Sequence, residues 1–184
     1  MKITVVSGST RENSNSEWLA NRLIEGHEVD WLKLREYKIH PIVDQRHTPG
    51  GFTLVDDDYD TLIKQVVNSD LIVFATPLYW YGMSGLMKNF IDRWSQSLRD
   101  TTFDFRQAME GKRCFLLIVG GNQVHLKALP LVQQFQLIFE FMKIDFKGYL
   151  IGQGSKPGEV KLDHRGLAEL GVWREKFQLW ADEN

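Results

Sequence analysis

Cysteine is nearly absent, since the chain of 184 residues has only Cys114. A single thiol closes no internal disulfide and cannot alone ligate a structural zinc or an iron–sulfur cluster, so a reducing compartment and a cytoplasmic protein are expected. Long apolar runs are missing too. Ile3 to Val6 is far shorter than the core of a signal peptide, and no later run approaches the roughly 20 residues of a membrane span, so no targeting or membrane association is expected. Neither sign of charge is in excess, with 22 Lys+Arg against 24 Asp+Glu and a formal charge of -2. Without a basic run to displace counterions, nonspecific binding to nucleic acid is not expected. Neither GxxxxGK[ST] nor GxGxxG follows the first apolar run, which excludes a P-loop NTPase and a dinucleotide-binding dehydrogenase.

What is present is a composition of 43% hydrophobic and 25% charged residues, inside the globular range. A chain of this size buries roughly 70% of its unfolded surface, so one domain over residues 1–184 is expected. Strand-like runs cover Ile3 to Val6, Val29 to Leu34, Leu71 to Ala75, Cys114 to Val119 and Asp145 to Ile151. Several are continuously apolar, as strands buried on both faces are. Between them lie five segments with helical spacing. They are Asn15 to Glu25, Tyr59 to Val66, Met83 to Trp94, Val132 to Met142, and Leu167 to Trp180. Strict alternation of strand and helix implies an α/β fold, a three-layer doubly wound sheet of five parallel strands in the order 2-1-3-4-5. Ligands of such sheets bind beyond the carboxyl ends of the strands where the order reverses, between strands one and three.

The loops at that edge are unusual. Ser7 to Ser16 holds five hydroxyls, one glycine, two amides and Arg11, and runs straight into the first helix. Helix-start N–H groups, hydroxyl donors and a guanidinium together suit a phosphate. A capped helix start, with Ser14 or Ser16 as N-cap and Arg11 in solvent, accounts for the same residues. After strand three comes Thr76 to Gly85, with Tyr79, Trp80 and Tyr81 consecutive. Such a turn can bond the edge of a heteroaromatic ring and cover its face, or its aromatics can fill an interface or staple the next helix. Gly120, Gly121 and Asn122 follow strand four and allow close backbone approach. Three such loops at neighbouring strand ends describe a site for a planar mononucleotide, and flavin mononucleotide (FMN) fits all three.

The stretch Gly8 to Ser16 resembles the Gly-Ser-x-Arg-x-x-[Ser/Gly]-Asn-[Ser/Thr] loop of the NAD(P)H-dependent FMN reductase family, which is flavodoxin-like. Thr76 to Ser84 and Leu86 to Trp94 resemble that family's Pro-[Ile/Leu]-Tyr-[Trp/Phe] turn and its helix ending in Phe-Ile-Asp-Arg. The resemblance implies FMN, with phosphate contacts from Ser9, Thr10, Arg11, Ser14, Asn15 and Ser16. It further implies ring contacts from Pro77, Leu78, Tyr79, Trp80, Tyr81 and Gly82, with Gly120, Gly121 and Asn122 bordering the ring. It implies an oxidoreductase drawing hydride from NADPH or NADH and passing electrons by ping-pong kinetics to a small-molecule acceptor, whether quinone, nitroaromatic or free flavin. A homodimer or homotetramer is implied as well. No side-chain acid or base need be catalytic, because the flavin does the hard chemistry. Two readings compete with it, a flavodoxin-type electron carrier without nicotinamide activity and a binding protein without redox function; the small net charge speaks against the carrier, which docks through a concentrated acidic face.

Iron–sulfur flavoproteins of this group carry a cysteine cluster after strand two, where this chain has His40, Asp44 and His47 in a long loop from His40 to Gly51. These three are read as solvent-facing, and no metal is expected. His125 is read as a surface residue, Asp56 to Asp58 as favourable charge at a helix start, and Asp92 and Arg93 as interacting with each other near one helical face.

Overall fold

A computed structural model describes residues 1–182. The strands are β1 (Ile3–Ser7), β2 (Val29–Lys33), β3 (Leu71–Pro77), β4 (Arg113–Gly120) and β5 (Asp145–Gln153). They form one parallel sheet in the order β2-β1-β3-β4-β5, as the alternation implied. The helices are α1 (Asn15–Leu23), α2 (Tyr59–Val67), α3 (Gly85–Asp92), α4 (Trp94–Ser97), α5 (Phe105–Met109), α6 (Val124–Lys127), α7 (Leu129–Phe141) and α8 (His164–Asp182). Single 3-10 turns cover Leu34–Glu36 and Glu159–Leu162.

The central strands read as unbroken apolar runs because both of their faces are covered. Val6, Ile72, Phe74, Leu116 and Ile118 pack beneath α2, α3 and α7 on one side. Ile3, Val5, Leu71, Val73, Phe115 and Leu117 pack beneath α1 and α8 on the other. β2 is an edge strand with mixed burial, and its Trp31 is half-buried.

Two differences from the sequence reading have identifiable causes. Helices α5 and α6, of five and four residues, are too short to show a period and escaped it. The expected helix from Met83 to Trp94 breaks at Arg93, which belongs to neither α3 nor α4. Arg93 does not engage Asp92, whose carboxylate bonds Lys88 Nζ at 2.6 Å. It turns inward, its Nη1 meeting Asp57 Oδ2 at 2.6 Å and the His40 carbonyl at 3.2 Å. Asp57 in turn accepts the N–H groups of His40 and Tyr59, at 2.9 and 3.2 Å. So Asp57 is a buried anchor and not only a charge at a helix start. Together these contacts pin both ends of the loop that separates β2 from α2. Within that loop Asp44 is held by Arg46 in a two-point pair at 2.7 and 2.8 Å. That bond keeps its carboxyl well below the usual range.

Candidate functional site

At the carboxyl edge of the sheet β1 ends in a loop whose first residues are fixed on two sides. On one side Ser7 Oγ donates to buried Glu17 Oε1 at 2.5 Å, and the same carboxylate oxygen pairs with Arg35. Beside it the Gly8 carbonyl accepts a 2.6 Å bond from Ser84 Oγ, which also caps α3 by accepting from Met87 N–H. A side chain at position 8 would bring its Cβ within 2.7 Å of Ser84 Oγ and 2.9 Å of Met87 Cβ. Only glycine lets β1 and α3 approach this closely.

The loop then enters α1. Ser14 is the N-cap, accepting from Glu17 N–H, and its hydroxyl lies 2.9 Å from that of Ser16. Capping explains Ser14, but it does not use up the helix start: the first-turn N–H groups of Asn15 and Ser16 have no acceptor within the helix. Ser9, Ser14 and Ser16 are buried around them. Ser9 Oγ accepts the Arg11 N–H at 3.2 Å, setting the turn that carries the guanidinium.

These residues line a cavity of about 220 Å³ with Pro77, Leu78 and Tyr79 at the end of β3, Val119 to Gly121 at the end of β4, and Gly154 and Ser155 after β5. No carboxylate lines it, and Arg11 is its one cation among the described residues. The chemistry suits a ligand with an anionic end and an apolar end. Ten of the fifteen residues expected at the site meet here: Ser9, Arg11, Ser14, Asn15, Ser16, Pro77, Leu78, Tyr79, Gly120 and Gly121.

The other five lie at its margin. Thr10 Oγ1 is 3.4 Å from Tyr79 Oη and bridges two of the loops. Gly82 closes a tight turn, its N–H and carbonyl both bonded to Tyr79. Trp80 and Tyr81 form the tip of that turn, 96% and 56% exposed, and neither lines the cavity. Both take left-handed backbone, with φ of 49° and 64°, where bulky side chains are genuine outliers. Asn122 borders a neighbouring cavity with Asp163 and His164.

The sequence reading missed the wall after β5. Asn15 Nδ2 donates to the carbonyls of Gly154 and Lys156, and its Oδ1 accepts from Gly158 N–H. Arg11 Nη1 donates to the Ser155 carbonyl at 3.1 Å. Glu159 accepts the N–H groups of Ser155 and Lys156, and those bonds hold its carboxyl below the usual range. Asn15 is thus already committed to the protein. The signal for this wall was the run Gly152 to Gly158, rich in glycine and placed at a strand's carboxyl end. Among the described residues no group of His, Cys, Asp and Glu could hold a metal ion, and no helix is long and apolar enough to cross a membrane.

A family model described as NADPH-dependent FMN reductase matches residues 1–148. A Bacillus subtilis protein provisionally named NAD(P)H-dependent FMN-containing oxidoreductase YwqN is 47% identical over 169 residues, covering 91% of this chain and 93% of the relative. The iron–sulfur flavoprotein MJ1083 of Methanocaldococcus jannaschii is 26% identical over 178 residues, covering 91% and 90%. Among solved structures, the Trp repressor binding protein from Bacillus subtilis superposes with a TM-score of 0.77 at 39% identity, covering 91% of this chain and 94% of that one.

Proposed function

The chain belongs to the NADPH-dependent FMN reductase family and is an FMN-containing oxidoreductase with NAD(P)H as its electron donor, and from this premise we propose that FMN occupies the cavity at the carboxyl edge of the sheet. The observation that carries the placement is the cavity's lining, where three buried hydroxyls, the start of α1 and Arg11 meet with no carboxylate among them. Ser9, Ser14, Ser16, the first-turn N–H groups and Arg11 would hold the phosphate. Asn15 acts beside them as a positioning residue, since its amide fixes the loop after β5.

A volume of about 220 Å³ is less than the roughly 300 Å³ at which ligand pockets usually begin. The flat end of the ligand would lie against Pro77, Leu78, Tyr79, Gly120 and Gly121 and reach past the rim. Thr10 meets the Tyr79 hydroxyl and would help to hold that ring in place. When bound, FMN supplies reversible acceptance and release of a hydride equivalent, and the protein contributes orientation and electrostatic tuning. No side-chain acid or base is assigned. Donor and acceptor using one open face in turn should give parallel lines in double-reciprocal plots. The acceptor is a quinone, a nitroaromatic or a free flavin.

The Trp80–Tyr81 tip carries backbone strain of order 1–3 kcal/mol per residue, which persists where function requires it. We assign it to the ring end of the site, reached within one chain or from a second copy in a homodimer or homotetramer. Replacing Tyr79 and Trp80 together by alanine is expected to shift the visible absorption of bound FMN. An identical spectrum would remove both from the ring site.

The test of the function is the absorption spectrum of FMN-reconstituted protein under anaerobic conditions, before and after NADPH and, separately, NADH. Bleaching at a rate fit for turnover is expected, and the faster nucleotide is the donor. A flavin band that neither nucleotide bleaches would favour an electron carrier, and failure to take up FMN would overturn the site.

A further inference from the structure

A second cavity, of about 460 Å³, lies on the other side of the segment from Glu12 to Asn15, between α1, β2 and the turn Glu159–Leu162. Ser14 and Asn15 line both cavities, so the start of α1 is a wall common to the two. The walls of the larger one differ in kind from those of the smaller. They carry the half-buried rings of Trp18 and Trp31, the ammonium groups of Lys33 and Lys161, and the side-chain amides of Asn13 and Asn21. Two carboxylates are present as well. Glu17 is already engaged by Arg35 and Ser7 Oγ, which leaves Glu12. Lys161 Nζ lies over the Trp18 ring, 5.6 Å from its centroid, which places a mobile cation on that π-face.

We infer that this cavity binds an adenosine 5′-phosphate group as one half of a dinucleotide. Each part of that group has its counterpart in the walls. A purine needs an aromatic face, worth about 1–3 kcal/mol per stacked base, and two indoles are available. Its Hoogsteen edge suits a carboxamide, as adenine does elsewhere. A phosphate suits Lys161, and Lys33 once it gives up its 3.7 Å pair with Glu36 Oε1, and a ribose diol suits a carboxylate acceptor such as Glu12. Neither a hydrocarbon nor a peptide helix would need that mixture of indole, amide and ammonium.

A dinucleotide joins its two halves at phosphates, and the start of α1, where the FMN phosphate is placed, borders both cavities. The choice of a dinucleotide rests on the FMN placement proposed above. Two sources carry the same chemistry. One is FAD, whose adenylate continues from the FMN phosphate, and the other is the nicotinamide dinucleotide that delivers electrons.

The test is calorimetric titration of 5′-AMP into protein saturated with FMN, for the wild type, Trp18→Ala and Lys161→Glu. Binding is expected in the wild type and should weaken about tenfold in each variant, with FMN affinity unchanged. Lys161 is exposed, so its variant keeps the test usable should Trp18→Ala fold poorly. FAD held more tightly than FMN by the wild type but not by the variants would identify the flavin dinucleotide as the source. A raised KM for NADPH at unchanged kcat, with FAD and FMN held alike, would identify the donor. A response in neither arm overturns the dinucleotide assignment. No heat from millimolar 5′-AMP, or binding that both variants leave intact, overturns the site itself. If the protein takes up no FMN yet 5′-AMP binds and both variants weaken it, the flavin placement fails while the adenylate site stands.

Discussion

Arg93→Met is expected to lower the melting temperature by roughly 10 °C. The side chains of Arg93 and Asp57 are 2% and 1% exposed, and their ion pair is the most deeply buried among the described residues. Removing one partner of such a pair leaves an uncompensated charge in the interior and costs about 3–5 kcal/mol. For a domain of this size each kcal/mol moves the midpoint by about 2–4 °C. Further contacts depend on the same guanidinium, which bonds Gln96 Oε1 at 2.8 Å and lies 4.5 Å from the centroid of the Tyr59 ring. Tyr59 itself is buried, its hydroxyl 2.6 Å from Ser97 Oγ, and burial pushes its phenol above the usual range.

The pH dependence separates this account from a general packing defect. Burial acts to raise the Asp57 carboxyl, but the bonds from Arg93, His40 N–H and Tyr59 N–H outweigh it and hold the group below its ordinary value. A depressed carboxyl contributes stability that is complete above its unfolded value of about 3.9 and is lost as pH falls through the folded one. The wild type should therefore lose this contribution only below about pH 4. In Arg93→Met burial dominates and raises Asp57, so mild acidification should narrow the gap between variant and wild type. Thermal denaturation at pH 7 and pH 5 measures both effects. A shift under 2 °C, or a gap that widens at pH 5, would be incompatible with the clamp. Faster proteolysis between His40 and Asp57 should accompany the loss, because this side chain bonds both ends of that loop.

Arg11→Ala is expected to weaken FMN binding by about ten- to a hundredfold with the circular dichroism unchanged. Hydrogen bonds to charged groups are worth about 1.5–3 kcal/mol, and a phosphate offers the guanidinium two oxygens at once. The loss should shrink as salt is added, since exposed charges are screened. Arg11 also bonds the Ser155 carbonyl, so part of the effect passes through the loop after β5. Arg11→Lys separates the two contributions. It keeps the charge and gives up the planar fork, so affinity between those of wild type and alanine variant is expected. Fluorescence titration with FMN measures all three proteins, and an unchanged dissociation constant in Arg11→Ala would remove the phosphate from this loop.

What could be read from the chain was whatever depends on local pattern. Apolar runs such as Leu71 to Ala75 alternate with helical periods, and right-handed crossovers leave few ways to join them, so the sheet and its strand order were legible. The loops after β1, β3 and β4 were legible because ligands of such sheets bind at one edge and these loops carry unusual residue types. Short elements were not. Four residues of α6 contain barely one turn, and a single turn has no period to detect.

The site's remaining features depend on residues far apart in sequence. The pairing of Asn15 with Gly154 and Gly158, across more than 130 residues, adds the fourth wall of the cavity, and nothing near Asn15 announces it. Arg93 looked like a surface partner for Asp92 because the two are adjacent; the fold brings Asp57 to it instead, and a buried carboxylate outcompetes an exposed one. The aromatic turn divides in the same way. Composition marked Tyr79, Trp80 and Tyr81 alike, but two left-handed residues turn the tip outward and leave only Tyr79 on the cavity wall. Sequence determined the sheet and the chemistry of its edge, because periodicity and residue type are local properties. Tertiary structure decided which side chains face one another there, because hydrogen bonds and ion pairs go to whichever partners the fold brings within reach.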